Sequence, residues 1–273
     1  MSQNRSEKGH VVAVLGAGVV GGAVARALAA RGEKVIITRR DLSKSKELKD
    51  IGIEATQDNS AAVKSADVIF ICVKPFDLPR VLREIKNDLE DKLVISTVAT
   101  IPLDYYVSMQ PKGKFVRSMP NIALLVQESF TAYVMTDAFT SLERKLVHKM
   151  LSYFGYAVEV EEKYMDAITA LSGSGPGYLS IILEGLVYAG LKVGLPRDLA
   201  LQSSLQTMLG TAKLIKETKE HPSRIKDLVV TPGGTTIEGI YELEGSQIRQ
   251  ALMKAVERAS EQAKKIRESV LSL

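Results

Sequence analysis

Residues 10–32 read HVVAVLGAGVVGGAVARALAARG, and this stretch indicates the architecture of the first half of the chain. A short apolar run ends in glycines, which predicts a buried strand. The alanine-rich segment after it predicts a helix that stops at Gly32, and glycine is the residue type most often found just after a helix end. The next apolar run, KVIITRR at 34–40, predicts a second strand and so completes a strand–helix–strand unit.

The turn between the first strand and the helix, residues 16–21, carries the pattern GxGxxG. Here the pattern follows a strand, opens a helix and lies within a unit of about 30 residues, which is the context of a dinucleotide site. Gly16 allows the tight turn, Gly18 lets a pyrophosphate approach the backbone, and Gly21 permits close packing of helix on strand. Free N–H groups and the dipole at the helix start favour phosphates. The alternative is a tight turn whose small residues serve packing alone.

Strand and helix patterns continue to alternate up to about residue 162. Further strands are predicted at 53–57, 67–75, 92–99, 114–120 and 130–136. Strands separated by helices of this length predict an α/β fold with a parallel, doubly wound sheet of the Rossmann type. We assign this dinucleotide-binding domain to residues 1–162.

The end of the second predicted strand distinguishes the two nicotinamide dinucleotides. An NAD site places Asp or Glu there for the ribose 2′-hydroxyl, whereas this chain has Arg39 and Arg40, with Lys44 just beyond. Guanidinium groups can bind a 2′-phosphate bidentately, so the sequence favours NADP(H), with NAD(H) possible. In the alternative, Asp41 binds the ribose and the arginines are solvated. We expect Asp41 to lie too far beyond the end of the strand to reach the ribose and to cap the next helix instead.

Residues 163–273 predict an all-α domain for dimerisation. The segment 181–195 is so densely apolar that its helix should be buried on most sides. A domain of this size covers such a helix poorly, which predicts a homodimer, although burial against the first domain is an alternative. The last predicted helix, 246–273, has one continuous apolar stripe formed by Ile248, Leu252, Val256, Ala259, Ala263, Ile266 and Val270.

The composition favours a soluble, cytoplasmic protein with a small anionic ligand. The 273 residues have a net charge of +4, only 5% of them are aromatic, and no block of Lys and Arg occurs, which argues against nucleic-acid binding. The first ten residues lack the apolar segment of a signal peptide. The one long uncharged run, 167–183, contains Gly, Ser and Pro residues, which predict a break in a helix rather than a membrane span. The single cysteine, Cys72, lies in an apolar run and is predicted to be a buried structural thiol in a reducing compartment.

The sequence predicts no metal site and offers few acid–base catalysts. The three histidines are far apart along the chain, and no Cys/His metal spacing occurs. Lys74 follows a predicted strand and is the best candidate for a general base, but it could equally contact the cofactor. The small number of acid–base candidates suggests a reaction in which the protein needs to transfer few protons. Reduction of a C=N bond that is already protonated is such a reaction.

Six motifs together resemble the pyrroline-5-carboxylate reductase family, in the right order and over nearly the whole chain. They are GAGVVGGAVARAL (16–28), Asp58-Asn59, VKP (73–75), MPN (119–121), ALSGSGPGY (170–178) and HPSRIKDLVVTPGGTTIEGIYELE (221–244). The last of them is the most specific. The chain departs from the family at Ile122-Ala123, where Thr-Pro is usual, at Gln127 and Ser129, which replace glycines, and at Val230.

The resemblance implies NAD(P)H-dependent reduction of 1-pyrroline-5-carboxylate to L-proline, the last step of proline biosynthesis. It also implies a homodimer or higher homo-oligomer with the substrate site formed between subunits. The cofactor residues that it implies, together with the glycine loop, are Gly16, Ala17, Gly18, Val19, Val20, Gly21, Arg39, Arg40, Asn59, Val73, Lys74, Pro75, Ala99 and Asn121. The implied substrate residues are Thr231, Gly233, Gly234, Thr235 and Thr236.

The loop 231–236, TPGGTT, is chemically suited to that second role. Its glycines allow consecutive N–H groups to converge at the start of the predicted helix TIEGIYELE, which makes an anion site for the substrate carboxylate. The hydroxyl of Thr236 can donate and accept hydrogen bonds, so it could contact the ring nitrogen during hydride transfer. We therefore predict Thr236 as the catalytic residue. The alternative is that this threonine simply caps the helix.

Other functions on the same fold stay open. One is a reductase of a related cyclic imino acid, and another is a non-catalytic NADP-binding sensor, which fold alone does not exclude. A sensor would not need the loop 231–236. A β-hydroxyacid-type dehydrogenase would need a catalytic lysine, and the segment YMDAITALSGSG offers none after Lys163.

Overall fold

The computed structural model describes residues 9–272. Residues 1–8, which belong to the segment predicted not to be a signal peptide, lie outside the described residues, as does Leu273. The described chain falls into two compact units, residues 9–174 with 258–272 and residues 175–257. The predicted domain boundary after residue 162 stays a prediction, and the compact units divide the chain differently because 163–174 and 258–272 pack with the first unit.

The first unit is built on one sheet, which has eight strands within the described residues. The strands are β1 Val11–Leu15, β2 Lys34–Thr38, β3 Glu54–Thr56, β4 Val68–Ile71, β5 Leu93–Ser96, β6 Lys114–Met119, β7 Ser129–Met135 and β8 Gly155–Glu159. Their order is β3-β2-β1-β4-β5-β6-β7-β8. The order reverses between β1 and β4, the kind of switch point beside which ligands bind in open α/β sheets. The predicted doubly wound fold is thereby confirmed.

Helices connect most of these strands. They are α1 Val19–Ala29, α2 Lys46–Lys49, α3 Asn59–Ser65, α4 Leu78–Ile85, α5 Leu103–Met109, α6 Ser141–Ser152 and α7 Met165–Ile168. Short 3-10 turns occupy Leu42–Ser45, Pro75–Asp77, Lys86–Asp88, Ile122–Val126 and Glu162–Tyr164.

The central strand β1 shows why helices cover both faces of the sheet. Val12 and Val14 belong to one buried apolar cluster, whereas Ala13 and Leu15 belong to a second one. Successive strand residues point to opposite faces, so an all-apolar strand must be covered on both sides. This packing fixes the carboxyl end of β1, and with it the glycine turn that leads into α1.

The second unit is helical, as predicted. It comprises α8 Gly175–Lys192, α9 Arg197–Thr218, α10 Pro222–Leu228, α11 Thr235–Gly245 and the first part of α12 Ile248–Leu271. Helices α8 and α9 approach closely, since a Cβ at Gly190 would lie 2.8 Å from the Cβ of Ala200. Large apolar side chains nevertheless remain exposed on both helices, among them Ile181, Leu186, Leu205 and Leu209.

This exposure agrees with the prediction that the helical domain alone covers the apolar segment 181–195 poorly. In the single chain, Ile181 is 70% exposed, and Val187 is a buried residue of this segment. The few helices of the unit do not enclose α8. The exposed apolar face of α8 is therefore available to pack against another protein surface.

The apolar stripe of the last helix divides into two halves. In the second half, Ala263 and Val270 are buried, and Ile266 packs against the second core cluster of the sheet unit. In the first half, Ile248 and Leu252 remain exposed. The predicted helix is confirmed, whereas burial of its stripe within the chain holds only for the second half.

Three further features differ from the sequence-based expectation. Strand β8 was not predicted, and β7 pairs antiparallel with β6 rather than parallel. The segment ALSGSG, expected to break the helix, instead continues it as a π-helix over Thr169–Gly173 between α7 and α8. Its Gly and Ser residues widen the helix here and do not unwind it.

No helix within residues 9–272 combines the length and the apolar character that crossing a bilayer requires. Those same residues also contain no group of three or more His, Cys, Asp and Glu side chains arranged to hold a metal ion.

Candidate functional site

The turn between β1 and α1 has the geometry expected of its glycines. Gly16 has φ +92°, a conformation that side chains disfavour, and its N–H together with that of Ala17 bonds the carbonyl oxygen of Thr38 at 3.2 and 2.9 Å. A Cβ at Gly21 would lie 2.2 Å from the carbonyl oxygen of Gly16, which keeps α1 close to the strand. A Cβ at Gly18 would meet nothing within 4 Å. The backbone at Gly18 is thus open to a ligand.

The start of α1 offers unpaired donors to an anion. Gly18 is the N-cap and provides no side-chain cap, and the first turn contains no acidic residue. The first N–H groups of a helix have no intrahelical acceptor, and the dipole adds positive potential. This end of the helix therefore suits a pyrophosphate.

A cleft of about 400 Å³ begins at this turn and runs along the carboxyl ends of β1, β2 and β4. It brings together eight predicted cofactor residues, namely Gly16, Ala17, Gly18, Arg39, Arg40, Asn59, Val73 and Lys74. Six others lie outside its lining: Val19, Val20, Gly21, Pro75, Ala99 and Asn121. Of these, Val20 packs into the core beneath the turn, and Val19 is exposed.

The end of β2 presents two arginines to the cleft. The backbone N–H of Arg39 bonds Thr56 at 3.1 Å, and its Nη1 donates to the carbonyl oxygen of Lys44 at 2.8 Å. Arg40 is held through its backbone, because Gln57 Nε2 donates to its carbonyl oxygen at 2.5 Å. Its side chain is 85% exposed, so the guanidinium can turn toward a phosphate.

Asp41 caps the next turn, as the sequence predicted. Its Oδ1 accepts hydrogen bonds from the N–H of Ser43 at 3.1 Å and from the Ser43 hydroxyl at 2.6 Å. These bonds, more than the nearby Lys44, hold the pKa of Asp41 below its usual value. The carboxylate is thereby committed to the turn over Leu42–Ser45, which weakens the alternative in which it binds a ribose.

The opposite wall of the cleft carries charged residues that the sequence analysis missed. Asp77, Arg80 and Glu84 come from the Pro75–Asp77 turn and α4. Asn59, the predicted adenosine contact, donates from Nδ2 to Glu84 Oε2 at 3.0 Å. Spacing of three and four residues places the three charges on one helical face, a signal that could have been read from the sequence.

Lys74 and Cys72 line the cleft near the end of β4. Lys74 is exposed and is the N-cap of the Pro75–Asp77 turn. Cys72, predicted to be a buried structural thiol, packs against the first core cluster but is only half-buried as a residue, because it also lines the cleft. Its thiol nevertheless has a pKa raised to about 12 by burial, so it stays protonated at neutral pH.

The Asn121 side chain makes hydrogen bonds to two neighbouring segments just after the end of β6. Its side-chain oxygen accepts from the N–H of Ala123 at 3.1 Å and caps the Ile122–Val126 turn. Its Nδ2 donates to the carbonyl oxygen of Ser172 in the π-helix at 3.2 Å. Ala99 follows β5 and is half-buried.

The loop 231–236 forms a tight glycine turn in the second unit. Gly233 has φ +68°, and the N–H of Gly234 bonds the carbonyl oxygen of Thr231 at 3.0 Å. A Cβ at Gly234 would lie 2.3 Å from Thr231 Oγ1, so a side chain there would displace the Thr231 hydroxyl. The turn leads directly into α11.

Gly234, not a threonine, is the N-cap of α11, and no side chain caps this helix. Thr235 and Thr236 therefore occupy the first two helical positions. The alternative in which Thr236 serves as a helix cap is wrong. The N–H groups of the first turn remain available, and Thr236 is half-buried beside them.

Two family models match the chain. The one described as pyrroline-5-carboxylate reductase dimerisation covers residues 162–266. The other, described as NADP oxidoreductase, coenzyme F420-dependent, covers residues 11–100.

Curated relatives match most of the chain. It is 38% identical over 265 residues to the pyrroline-5-carboxylate reductase of Methanosarcina acetivorans, covering 93% of this chain and 97% of the relative. It is 36% identical over 257 residues to pyrroline-5-carboxylate reductase 2 of Homo sapiens, covering 90% and 80%.

Solved structures give the same likeness. The Plasmodium falciparum pyrroline carboxylate reductase with NADP bound has a TM-score of 0.87 at 30% identity, covering 94% of this chain and 98% of that one. A pyrroline-5-carboxylate reductase from Coxiella burnetii has a TM-score of 0.86 at 29% identity, covering 95% and 99%.

Proposed function

The chain belongs to the pyrroline-5-carboxylate reductase family, and we propose that it reduces 1-pyrroline-5-carboxylate to L-proline with NADPH as the hydride donor. The observation that carries this proposal is the glycine turn at 231–236, which leads into a helix without a side-chain cap and so provides an anion site. The same chain also has a dinucleotide cleft. This is the last reaction of proline biosynthesis.

NADP(H) is the proposed cofactor. The turn 16–21, including Val19 and Val20, would hold the pyrophosphate at the start of α1. Arg39 and Arg40 would bind the 2′-phosphate, because both line the cleft at the end of β2 and Asp41 is committed elsewhere. Asn59 would contact the adenosine, and the proposed contacts near the nicotinamide are Val73, Lys74, Pro75, Ala99 and Asn121.

The substrate carboxylate is proposed to bind at the loop 231–236. Thr231, Gly233, Gly234 and Thr235 shape the turn, and the uncapped N–H groups at the start of α11 favour an anion at this position. A neutral ligand would gain little from this arrangement. A cyclic imino acid is anionic at its carboxylate and therefore fits.

Thr236 is the proposed catalytic residue. A dinucleotide in the cleft would supply the hydride to the C=N carbon, and the electron pair of the double bond would then reside on the ring nitrogen. The Thr236 hydroxyl can hydrogen-bond that nitrogen and hold its proton in place during the transfer. Because the imine is protonated beforehand, no strong base is needed, in agreement with the scarcity of such groups along the chain.

A homodimer is part of the proposal. Apolar side chains on α8 and α9 are exposed in the single chain, and the matched family model is described as a dimerisation model. Burial of these faces against a second copy would remove them from water. The same match, beginning at residue 162, supports the proposed boundary between the domains 1–162 and 163–273. The single cysteine supports a cytoplasmic location.

The test follows NADPH oxidation by absorbance with pyrroline-5-carboxylate and then with other cyclic imino acids. We expect turnover with pyrroline-5-carboxylate and formation of L-proline. Faster turnover with another cyclic imine would favour a related imino-acid reductase. NADPH binding without oxidation by any imine would favour a sensor and would overturn the proposed activity.

A further inference from the structure

An ion-pair chain centred on Asp77 joins the end of β2 to α4 across the dinucleotide cleft. Its Oδ2 lies 3.6 Å from Arg40 Nη2, and its Oδ1 lies 3.9 Å from Arg80 Nη2. Arg80 also approaches Glu84, with Nη1 and Oε2 separated by 3.8 Å. One carboxylate therefore faces two guanidinium groups, which come from different elements of the fold.

The Asp77 carboxylate has less conformational freedom than its two arginine partners. The Asp77 side chain is 30% exposed and sits at the end of the Pro75–Asp77 turn, whereas the side chains of Arg40 and Arg80 are 85% and 57% exposed. The carboxylate is short and anchored, and both arginines are long and can turn. A second anion that enters the cleft can therefore draw the guanidinium groups away from Asp77.

The cleft as a whole carries an excess of two positive charges. Its basic residues are Arg39, Arg40, Lys44, Lys74 and Arg80, and its acidic residues are Asp41, Asp77 and Glu84. A phosphate monoester carries a charge of about −1.5 to −2 at neutral pH. The surplus matches such a group, provided that the arginines paired with Asp77 become available to it.

We propose that Asp77 is a specificity-determining residue that competes with the 2′-phosphate of NADPH for Arg40 and Arg80. This inference rests on the proposed function to the extent that the cleft binds a nicotinamide dinucleotide. Arg80 is then a further ligand of the 2′-phosphate, in addition to Arg39 and Arg40. NADH has only a ribose hydroxyl at this position and leaves the pairs with Asp77 intact. Asp77 therefore lowers the affinity for NADPH and leaves that for NADH nearly unchanged.

The test measures dissociation constants of NADPH and NADH for the full chain by calorimetry, without an imine substrate. We expect Asp77→Asn to lower the dissociation constant of NADPH by about two- to fivefold, the range that an exposed ion pair supports. The dissociation constant of NADH should change by less than about twofold. Arg80→Gln should weaken NADPH by about fivefold and leave NADH unchanged. The gain in Asp77→Asn should shrink in 0.5 M salt, where exposed charges are screened.

Asp50→Asn is the matched control, because Asp50 is exposed and outside the cleft lining while the change in net charge is the same. It should leave both dissociation constants unchanged. An equal gain for both cofactors in Asp77→Asn would reveal a general field effect and overturn the proposal. Weaker NADPH binding in that variant would show that Asp77 organises the arginines and does not compete for them.

The outcomes separate this inference from the proposed function. A wild-type chain that binds neither dinucleotide contradicts the proposed function. A chain that binds both, and whose preference is the same in wild type, Asp77→Asn and Arg80→Gln, contradicts the role of Asp77 alone. Circular dichroism and thermal unfolding of each variant verify that the fold is retained.

Discussion

The carbonyl oxygen of Gly16 occupies the position that a side chain at Gly21 would need, since a Cβ built there falls 2.2 Å from it. Carbon and oxygen atoms that are not bonded do not approach so closely. The first turn of α1 therefore rests directly on the glycine turn that precedes it, and the two glycines hold the proposed phosphate site in shape.

We expect Gly21→Ala to force α1 away from the strand. The cost to the free energy of unfolding should be about 3 kcal/mol, at the upper end for overpacking, and NADPH affinity should fall at least about tenfold. Gly22→Ala is the matched control, because the nearest atom to its Cβ is Leu48 Cδ1 at 4.0 Å. That change should stabilise the helix by up to about 1 kcal/mol. Equal stability of the two variants in denaturant titrations would contradict this account.

Arg117 forms the most buried ion pair of the sheet unit. Its side chain is 3% exposed and contacts Glu162 and, at 3.1 Å, Asp166, which also binds Arg267 at 2.5 Å. Arg117→Met would leave both carboxylates without this partner, so we expect a loss of about 3–5 kcal/mol in unfolding free energy. Arg26→Met, which breaks the exposed pair with Glu47, should cost less than about 1 kcal/mol. Similar midpoints in urea for the two variants would show that the buried network adds no stability.

Thr100 combines two unfavourable features. It is β-branched with φ +73°, and among the described residues its buried hydroxyl has no hydrogen-bond partner. Thr100→Gly removes both the strained conformation and the unpaired hydroxyl. Glycine loses more backbone entropy on folding, so we expect a net increase of about 1 kcal/mol in the free energy of unfolding. Gln127→Gly, at an exposed position with φ +59°, should gain less because its polar groups reach solvent. A lower melting temperature in Thr100→Gly would mean that lost packing outweighs the relieved strain.

Much of the sheet unit could be predicted because local pattern and tertiary fold agree there. The strand before Gly16 is apolar on both faces, and the helix after it has matching composition. Strand β8 was missed because it lies at the sheet edge, where Tyr156 is 63% exposed and the apolar pattern is weak. The antiparallel β7 could have been predicted, since the connection from Met119 to Ser129 is too short for a parallel crossover.

The candidate site was predictable only where it follows a contiguous motif. The glycine turns and the two arginines after β2 are such motifs, and the structure gives them open backbone or a place in the cleft. The pairing of Arg40 with Asp77 joins residues 37 positions apart and depends on the fold. The same holds for Cys72, whose apolar neighbours in sequence suggested the core although it faces the cleft.

The chain has one cysteine, so its reactivity can be measured without ambiguity. Burial raises the pKa of the Cys72 thiol to about 12, against about 8.5 in an unfolded chain. The thiolate is the reactive form, so alkylation by iodoacetamide at pH 8.5 should be at least about a hundredfold slower in the native protein than in guanidinium. The native rate should keep rising between pH 8 and 10, while the denatured rate levels off above about pH 9. Equal native and denatured rates, followed by mass spectrometry, would place the thiol in water.

Thr236 is the residue on which the proposed chemistry depends most. It occupies the second position of α11 behind an N-cap glycine, so its hydroxyl is not used to cap the helix. A hydrogen bond to a charged group contributes about 1.5–3 kcal/mol, so Thr236→Ala should lower kcat about 10- to 100-fold. The NADPH dissociation constant should be unchanged. Thr236→Ser keeps the hydroxyl and should retain most of the turnover, which separates loss of the hydroxyl from loss of helix packing. Full activity in Thr236→Ala would exclude this residue from the reaction and assign the loop to carboxylate binding alone.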